Sequence, residues 1–277
     1  MTLKPWFVAA LCLLLSTVTR ADTIVTSDGP RSGEIVRVDA QNIVFRMDVG
    51  EVTIPRTAIT EVRVDQPPAY EAAVNALGAG KYAEAVQTLK PITDRLAGLD
   101  VDWVEDALWR LGDALVGEKK LTEAKAVFDR FKTFYPDSPR TAGLDTKYAR
   151  ILVAQNNCSE ATPLLTKLVE PLLAKKAITE DEEPAVAEGL ILLGDCQRAA
   201  GKLDDALDSY LNVVALFDLE PNFAAEAKYK AARIFEEKKN WRRARGFYRE
   251  LGESAPQADI VADAKKRFAA LTEAHPE

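Results

Sequence analysis

From residue 22 to residue 66, apolar and polar positions alternate with a period close to two. Short β-branched runs stand at Thr23-Ile24-Val25-Thr26, Gly33-Glu34-Ile35-Val36-Arg37-Val38, Ile43-Val44-Phe45-Arg46-Met47, Glu51-Val52-Thr53-Ile54-Pro55 and Ile59-Thr60-Glu61-Val62-Arg63-Val64. Gly, Pro, Asp and Asn fall between them, as in Ser27-Asp28-Gly29-Pro30, Asp39-Ala40-Gln41-Asn42 and Asp48-Val49-Gly50. Side chains of a strand point alternately to its two faces, so this pattern predicts five short strands in an antiparallel meander closing into a small barrel. Gln66-Pro67-Pro68 ends it, because paired prolines cannot continue a central strand.

Beyond the prolines the period changes to about three and a half, and Ala, Leu, Glu and Lys dominate to the end of the chain. Five segments share one signature: Gly80-Lys81-Tyr82-Ala83-Glu84-Ala85, Lys119-Lys120-Leu121-Thr122-Glu123-Ala124, Asn156-Asn157-Cys158-Ser159-Glu160-Ala161, Gly201-Lys202-Leu203-Asp204-Asp205-Ala206 and Lys239-Asn240-Trp241-Arg242-Arg243-Ala244. Each has a polar turn, a large anchor and an alanine three residues later. Four residues past each alanine come Leu89, Phe128, Leu165, Tyr210 and Tyr248, and three further lie Ile92, Phe131, Leu168, Val213 and Leu251. This is the spacing of one face of a helix, with alanine where two helices touch. Upstream, Leu111-Gly112 and Leu193-Gly194 supply a small residue to a preceding helix, with Leu115 and Phe235 at helical spacing. Pro136, Pro221 and Pro256 mark repeat ends. Asp137 or Ser138 is placed to cap the next helix, with Pro139 at its first position, and Thr179 with Glu182 has the spacing of a capping box.

The five units together resemble the tetratricopeptide repeat, from about Ala69 to Pro256. The alanines at 85, 124, 161, 206 and 244 are 39, 37, 45 and 38 residues apart, against about 34 for the family. Longer helices and the Tyr135-Pro136-Asp137-Ser138-Pro139-Arg140-Thr141-Ala142 linker are similar to its periplasmic members. The long step places an insertion near Ala174 to Glu183, and Asp259 to Ala274 is the closing helix that a stacked array needs at its exposed end. The segment 22–66 resembles the SH3-like and Sm-like barrels attached to many bacterial envelope proteins. The expected fold is therefore mainly α: an α-solenoid of five hairpins and a capping helix over residues 69–277, after a small all-β module at 22–66.

The resemblance implies a concave groove for a protein or peptide partner, lined by first-helix positions on either side of the small residue. Carried onto this chain, these are Tyr70, Trp109, Asp113, Arg150, Asp195, Arg198, Tyr229 and Arg233. Aromatic and arginine side chains are common interface anchors, but Tyr70 and Trp109 equally suit packing between repeats. In a hairpin array, Cys158 at the start of one second helix and Cys196 near the end of the next first helix (Ala187 to Ala200) share an edge. Either they form a disulfide, or they are two buried thiols.

The first residues add an address. Lys4 precedes an apolar run from Trp6 to Leu15, then Thr19-Arg20-Ala21 supplies small residues at −3 and −1. Residues 1–21 thus read as a secretory signal cleaved before Asp22, and the protein as exported to the periplasm or beyond the cell. The run is too short for a bilayer span of about 20 residues, and no second one follows, so no transmembrane segment is expected after cleavage. Cys12 follows Leu11, where a lipidation signal wants a small residue. Cleavage takes two positive charges and no negative one from a net −7, leaving −9. Such a chain repels phosphate backbones, so nucleic acid is not an expected partner.

Catalytic chemistry finds little to stand on. The single histidine, His275, lies two residues from the end of the sequence, and there is no phosphate loop, nucleophile elbow or metal-spaced acid cluster. No cofactor and no metal site are expected, and the chain reads as a non-enzymatic scaffold, with an envelope assembly as a candidate setting. The competing reading is a structural envelope protein acting through its β module, by oligomerising or holding cell-wall polymer.

Overall fold

The computed structural model describes residues 21–175, 178–179, 182–217 and 221–276. Residues 1–20 of the expected secretory signal, and part of the insertion expected at 174–183, therefore lie outside the described residues. Five strands come first: β1 (Asp22–Thr26), β2 (Gly29–Val38), β3 (Asn42–Met47), β4 (Gly50–Pro55) and β5 (Ile59–Arg63). They form an antiparallel sheet in the order β4-β3-β2-β1-β5. β2 is longer than the sequence pattern suggests, because the turn after β1 is tight and Gly29, at φ +112°, already pairs with Thr26. The first half of β2 pairs with β1 and its second half with β3, with a register shift between Ile35 and Arg37 where it bends.

No strand pairing joins β4 to β5 among the described residues, so the bent sheet is not closed by a ladder between its edge strands. Helices cover its open side. Ile24, Ile35, Ile43, Phe45 and Ile54 point inward and share one core with Leu96, Leu99 and Val104 of the helical region. Arg95 reaches the buried Asp22 carboxylate at 3.1 Å, and Trp103 Nε1–H donates to the Val64 carbonyl at 3.2 Å.

Eleven α-helices follow among the described residues: α1 (Pro68–Gly78), α2 (Tyr82–Leu96), α3 (Asp102–Gly117), α4 (Leu121–Phe134), α5 (Leu144–Ala154), α6 (Cys158–Leu173), α7 (Glu183–Ala199), α8 (Leu203–Leu216), α9 (Pro221–Glu237), α10 (Trp241–Ser254) and α11 (Ala258–Ala274). Helix α7 starts earlier than the Ala187 expected from sequence. Its N-cap is Glu182, with no side-chain cap bond, so the capping box expected from Thr179 and Glu182 does not open the helix, although the Glu182 carboxylate accepts the Thr179 N–H at 3.2 Å. Pro221 opens α9 rather than ending a repeat. Ser138 does cap, accepting the Arg140 N–H at 3.1 Å, but it starts a short 3₁₀ turn over Pro139–Gly143 that leads into α5.

The five hairpins turn in the same way. Gly80, Lys119, Asn156, Gly201 and Lys239 all have φ between +57° and +76°. The residue after each donates its N–H five residues back, as Lys120 does to the Leu115 carbonyl at 2.9 Å and Asn240 to that of Phe235 at 2.8 Å. This closes the first helix with a left-handed residue and satisfies its last carbonyls. Alanines 85, 124, 161, 206 and 244 are fully buried, as are Leu89, Phe128, Leu165, Tyr210 and Tyr248. A methyl group on Gly112 would lie 2.5 Å from the Phe128 ring, and one on Gly194 2.5 Å from Tyr210. Glycine is thus what lets the ring of the second helix sit against the first.

The apolar core is not continuous along the array. One cluster unites α1 to α4 with Leu144 and Ile151, a small one lies between α5, α6 and α7, and a third runs from α7 to α11. At the middle one a disulfide joins Cys158, at the start of α6, to Cys196, late in α7, with Cα atoms 5.3 Å apart.

Candidate functional site: a concave cleft between the second and fourth hairpins

Where the first core cluster gives way to the others, a cleft of about 840 Å³ opens beside α3, α5 and α7. Its apolar surface comes from Leu77, Tyr82, Trp109, Val116, Leu172 and Phe223. Its floor is charged. Lys147 Nζ lies 2.8 Å from Asp113 and 3.8 Å from Glu188, while Arg150 lies 3.5 Å from Asp113 and pairs with Glu188 through Nε. Two cations and two carboxylates thus alternate, each touching both opposite charges, so that side chains as buried as Lys147 and Glu188 each have two partners of opposite sign. Burial works against the Arg150 charge, but Glu188 and Asp113 outweigh it and its pKa is raised. Lys147 also sits 5.2 Å over the Trp109 ring, which fixes one side of the indole.

Of the eight residues placed in a groove from sequence, Trp109, Asp113 and Arg150 line this cleft. Trp109 belongs to the wall as well, edge-on to Phe128 and Phe131 at 5.5 and 5.0 Å. Tyr70 does not reach the cleft. It is buried against Trp103 at 5.7 Å, and its hydroxyl bonds the Asp106 carboxylate. Burial and that carboxylate both raise its pKa. The remaining four lie further along, and three of them have fixed partners. Asp195 pairs with Lys230 at 2.7 Å and accepts the Tyr210 hydroxyl at 2.7 Å, Arg198 pairs with Glu237, and the Tyr229 hydroxyl donates to Asp263 at 2.5 Å. Arg233 is half-buried on α9, close enough to Tyr248 and Asp263 to act on their charge. These contacts tie α7, α8, α9, α10 and α11 together, and none of the four lines the cleft.

Sequence reasoning missed Tyr82, Lys147, Glu188 and Phe223. Tyr82 occupies the anchor position of the first turn, where Leu121, Cys158, Leu203 and Trp241 are partly buried, but it is 39% exposed and lies over Gly117 at the end of α3. Its residue type was a signal, since a tyrosine is an unusual helix-opening anchor to leave in water. Among the described residues no group of three or more His, Cys, Asp or Glu is placed to hold a metal, and no helix is long and apolar enough to cross a membrane.

Comparison with known proteins places the repeats. Family models of the tetratricopeptide repeat match residues 106–138 and 193–259, which carry α3 to α4 and the end of α7 to α10. Among solved structures, the chain is similar to a thermophilic tetratricopeptide-repeat protein of Thermus thermophilus, with 18% identity, 74% of this chain and 97% of that one covered, and a TM-score of 0.52. It is also similar to yeast Tom70, with 15% identity, 74% of this chain and 39% of that one covered, and a TM-score of 0.51. At such identities the likeness is one of fold. No curated protein sequence matches the chain. The protein carries tetratricopeptide repeats, and its fold is a tetratricopeptide-like α-solenoid preceded by a five-stranded antiparallel sheet. Folds of this class generally serve as scaffolds for protein–protein contact, without catalysis.

Proposed function

We propose that the protein is an exported, non-enzymatic scaffold of the cell envelope that holds an extended peptide or partner helix in the cleft beside α3, α5 and α7. The observation that carries this is the cleft itself. It is concave, sized for several side chains, and lined by aromatic and aliphatic groups around a neutralised ionic floor. A floor whose charges are already paired favours apolar anchors from the partner, with polar groups of its backbone set against the network. Tyr82 and Phe223 are the anchors' neighbours that the fold itself needs least, being only partly covered.

Photo-crosslinking groups placed at Tyr82 and Phe223 in cells should capture one and the same partner, and a group at Lys125, exposed on α4 and outside the cleft, should not. Tyr82→Ser with Phe223→Ser should weaken that capture, since buried aromatic anchors contribute about 2 kcal/mol or more each. Equal capture from Lys125 would remove the cleft from the mechanism. Export rests on the charged head, apolar run and Thr19-Arg20-Ala21 ending, supported by a described fold whose first strand starts at Asp22. N-terminal sequencing of protein released from the envelope should begin at Asp22, and a start at Met1 would refute export with cleavage.

A further inference from the structure

One corner of this acidic chain is strongly positive. The turn from α9 into α10 reads Lys238-Lys239-Asn240-Trp241-Arg242-Arg243-Ala244-Arg245, and Arg249 follows one helical turn later. Lys239 stands exposed at the tip with φ +57°, and Asn240 caps α10 by accepting the Arg243 N–H at 3.3 Å. After α11 the chain returns to the same corner, where His275 stacks flat on Trp241 with ring centres 4.1 Å apart and planes 5° apart. Arg245 donates to the His275 carbonyl oxygen at 2.9 Å. Lys238, Lys239, Arg242 and Arg245, with Trp241 and His275, line a shallow concavity of about 520 Å³, and Arg243 and Arg249 lie on α10 outside its lining.

Most of this charge is not spent inside the fold. Lys238 pairs with Asp204, and Arg243 lies 5.4 Å over the Phe235 ring. Among the described residues, Lys239, Arg242 and Arg249 are exposed and have no acidic partner. On the inner helices Arg110, Arg150 and Arg198 are each paired with a carboxylate. In a chain of net −7 this unmatched group is what most needs an explanation.

We propose that the corner is a docking surface for an acidic segment of a protein partner, a short run of clustered carboxylates. Arginine predominates, and its planar fork takes a carboxylate through two parallel hydrogen bonds where lysine offers only a point charge. The extent of the patch selects among anions. It spans one turn and about two turns of α10, and Asp204, Glu236 and Glu237 stand beside it. A nucleic-acid backbone or an anionic bilayer spreads its charge over a wider span and would run onto those acids. Three or four carboxylates on a flexible segment fit within it. The inference goes beyond the cleft reading and does not depend on it, since the two concavities share no lining residue.

The test is fluorescence anisotropy on the full-length protein, with a labelled peptide carrying a run of glutamates between Gly-Ser spacers and its glutamine counterpart. The glutamate peptide should bind, weaken with added salt, and bind about tenfold less well to Arg242→Gln/Arg243→Gln, from two lost exposed charge pairs. Lys239→Gly should also weaken it while the melting temperature holds, because glycine accepts that positive φ without strain. Tyr82→Ser should leave it unchanged. The proposal is overturned if the glutamine peptide binds equally, or if the arginine variant or Lys239→Gly binds like the parent. Loss of binding in Tyr82→Ser overturns it too, as does preference for phosphatidylglycerol vesicles or a single-stranded oligonucleotide over the peptide.

Discussion

Two seams divide this molecule, and they are closed by different means. Where the sheet meets the helices, Leu96, Leu99 and Val104 fill the open side of the strands and are almost wholly buried. Where the second hairpin meets the third and fourth, the core breaks into separate clusters and a cleft is left, floored by Lys147, Asp113, Arg150 and Glu188. The first seam shows the sheet to be part of the solenoid's structure. The second shows where the solenoid leaves surface to offer. Apolar closure excludes water and any ligand with it, whereas an ion network holds elements at a set distance without filling the space between them.

The largest expected effect belongs to the first seam. Leu96→Ala and Leu99→Ala should each destabilise the fold by about 2–5 kcal/mol, through lost transfer energy and the cavity left behind. Urea unfolding followed by tryptophan fluorescence and by far-ultraviolet circular dichroism should show sheet and helices lost in one shifted transition. Two separate transitions, with the helical one unmoved, would mean that the sheet is an independent module. The same packing means that a chain beginning near Tyr70 exposes Leu96, Leu99 and Val104. Deletion of the strands therefore tests the core before it tests the function.

Next in size is the covalent tie beside the second seam. The Cys158–Cys196 bridge closes a loop with a sequence separation of 38. In the chain-entropy picture Cys158→Ala/Cys196→Ala should cost about 3–4 kcal/mol. Thiol titration of the denatured, unreduced protein should count at most one reactive thiol, that of Cys12 where the leader is retained. Two thiols from the mature chain would show that the bridge is absent.

Smallest is the effect on the ionic floor. Lys147→Ala leaves Asp113 and Glu188 to share Arg150 alone and should destabilise by about 1–3 kcal/mol, the range for a buried polar group losing its partner. Its sharper consequence is at the cleft, where crosslinking through Tyr82 and Phe223 should fall as the floor loosens and Trp109 loses the ammonium over its ring. A variant with full stability and unchanged capture would show that the network neither holds the seam nor shapes the site.

Much of the fold was legible along the chain because its signals are local. A left-handed turn residue, an alanine three positions after an anchor and an apolar or aromatic residue four beyond it recur five times, and each is set by contacts within one hairpin. The five strands were legible for the same reason, apart from the ends of β2, where a turn tighter than expected lengthened the strand. Register within the helices also carried Trp109, Asp113 and Arg150 to positions that line the cleft.

Tertiary structure alone decided the rest. Tyr70, Asp195, Arg198 and Tyr229 have the residue types and helix positions of a groove, yet each is engaged by a partner 34 to 39 residues away in sequence. Whether a polar side chain on an inner helix faces a neighbour or a ligand depends on the spacing between hairpins, which contacts between residues far apart in sequence decide. The periodicity of one helix cannot encode a distance between two. For that reason the sequence determined a stack of hairpins, and only their packing decided that the sheet would be absorbed into the core and that a cleft would open beside α5.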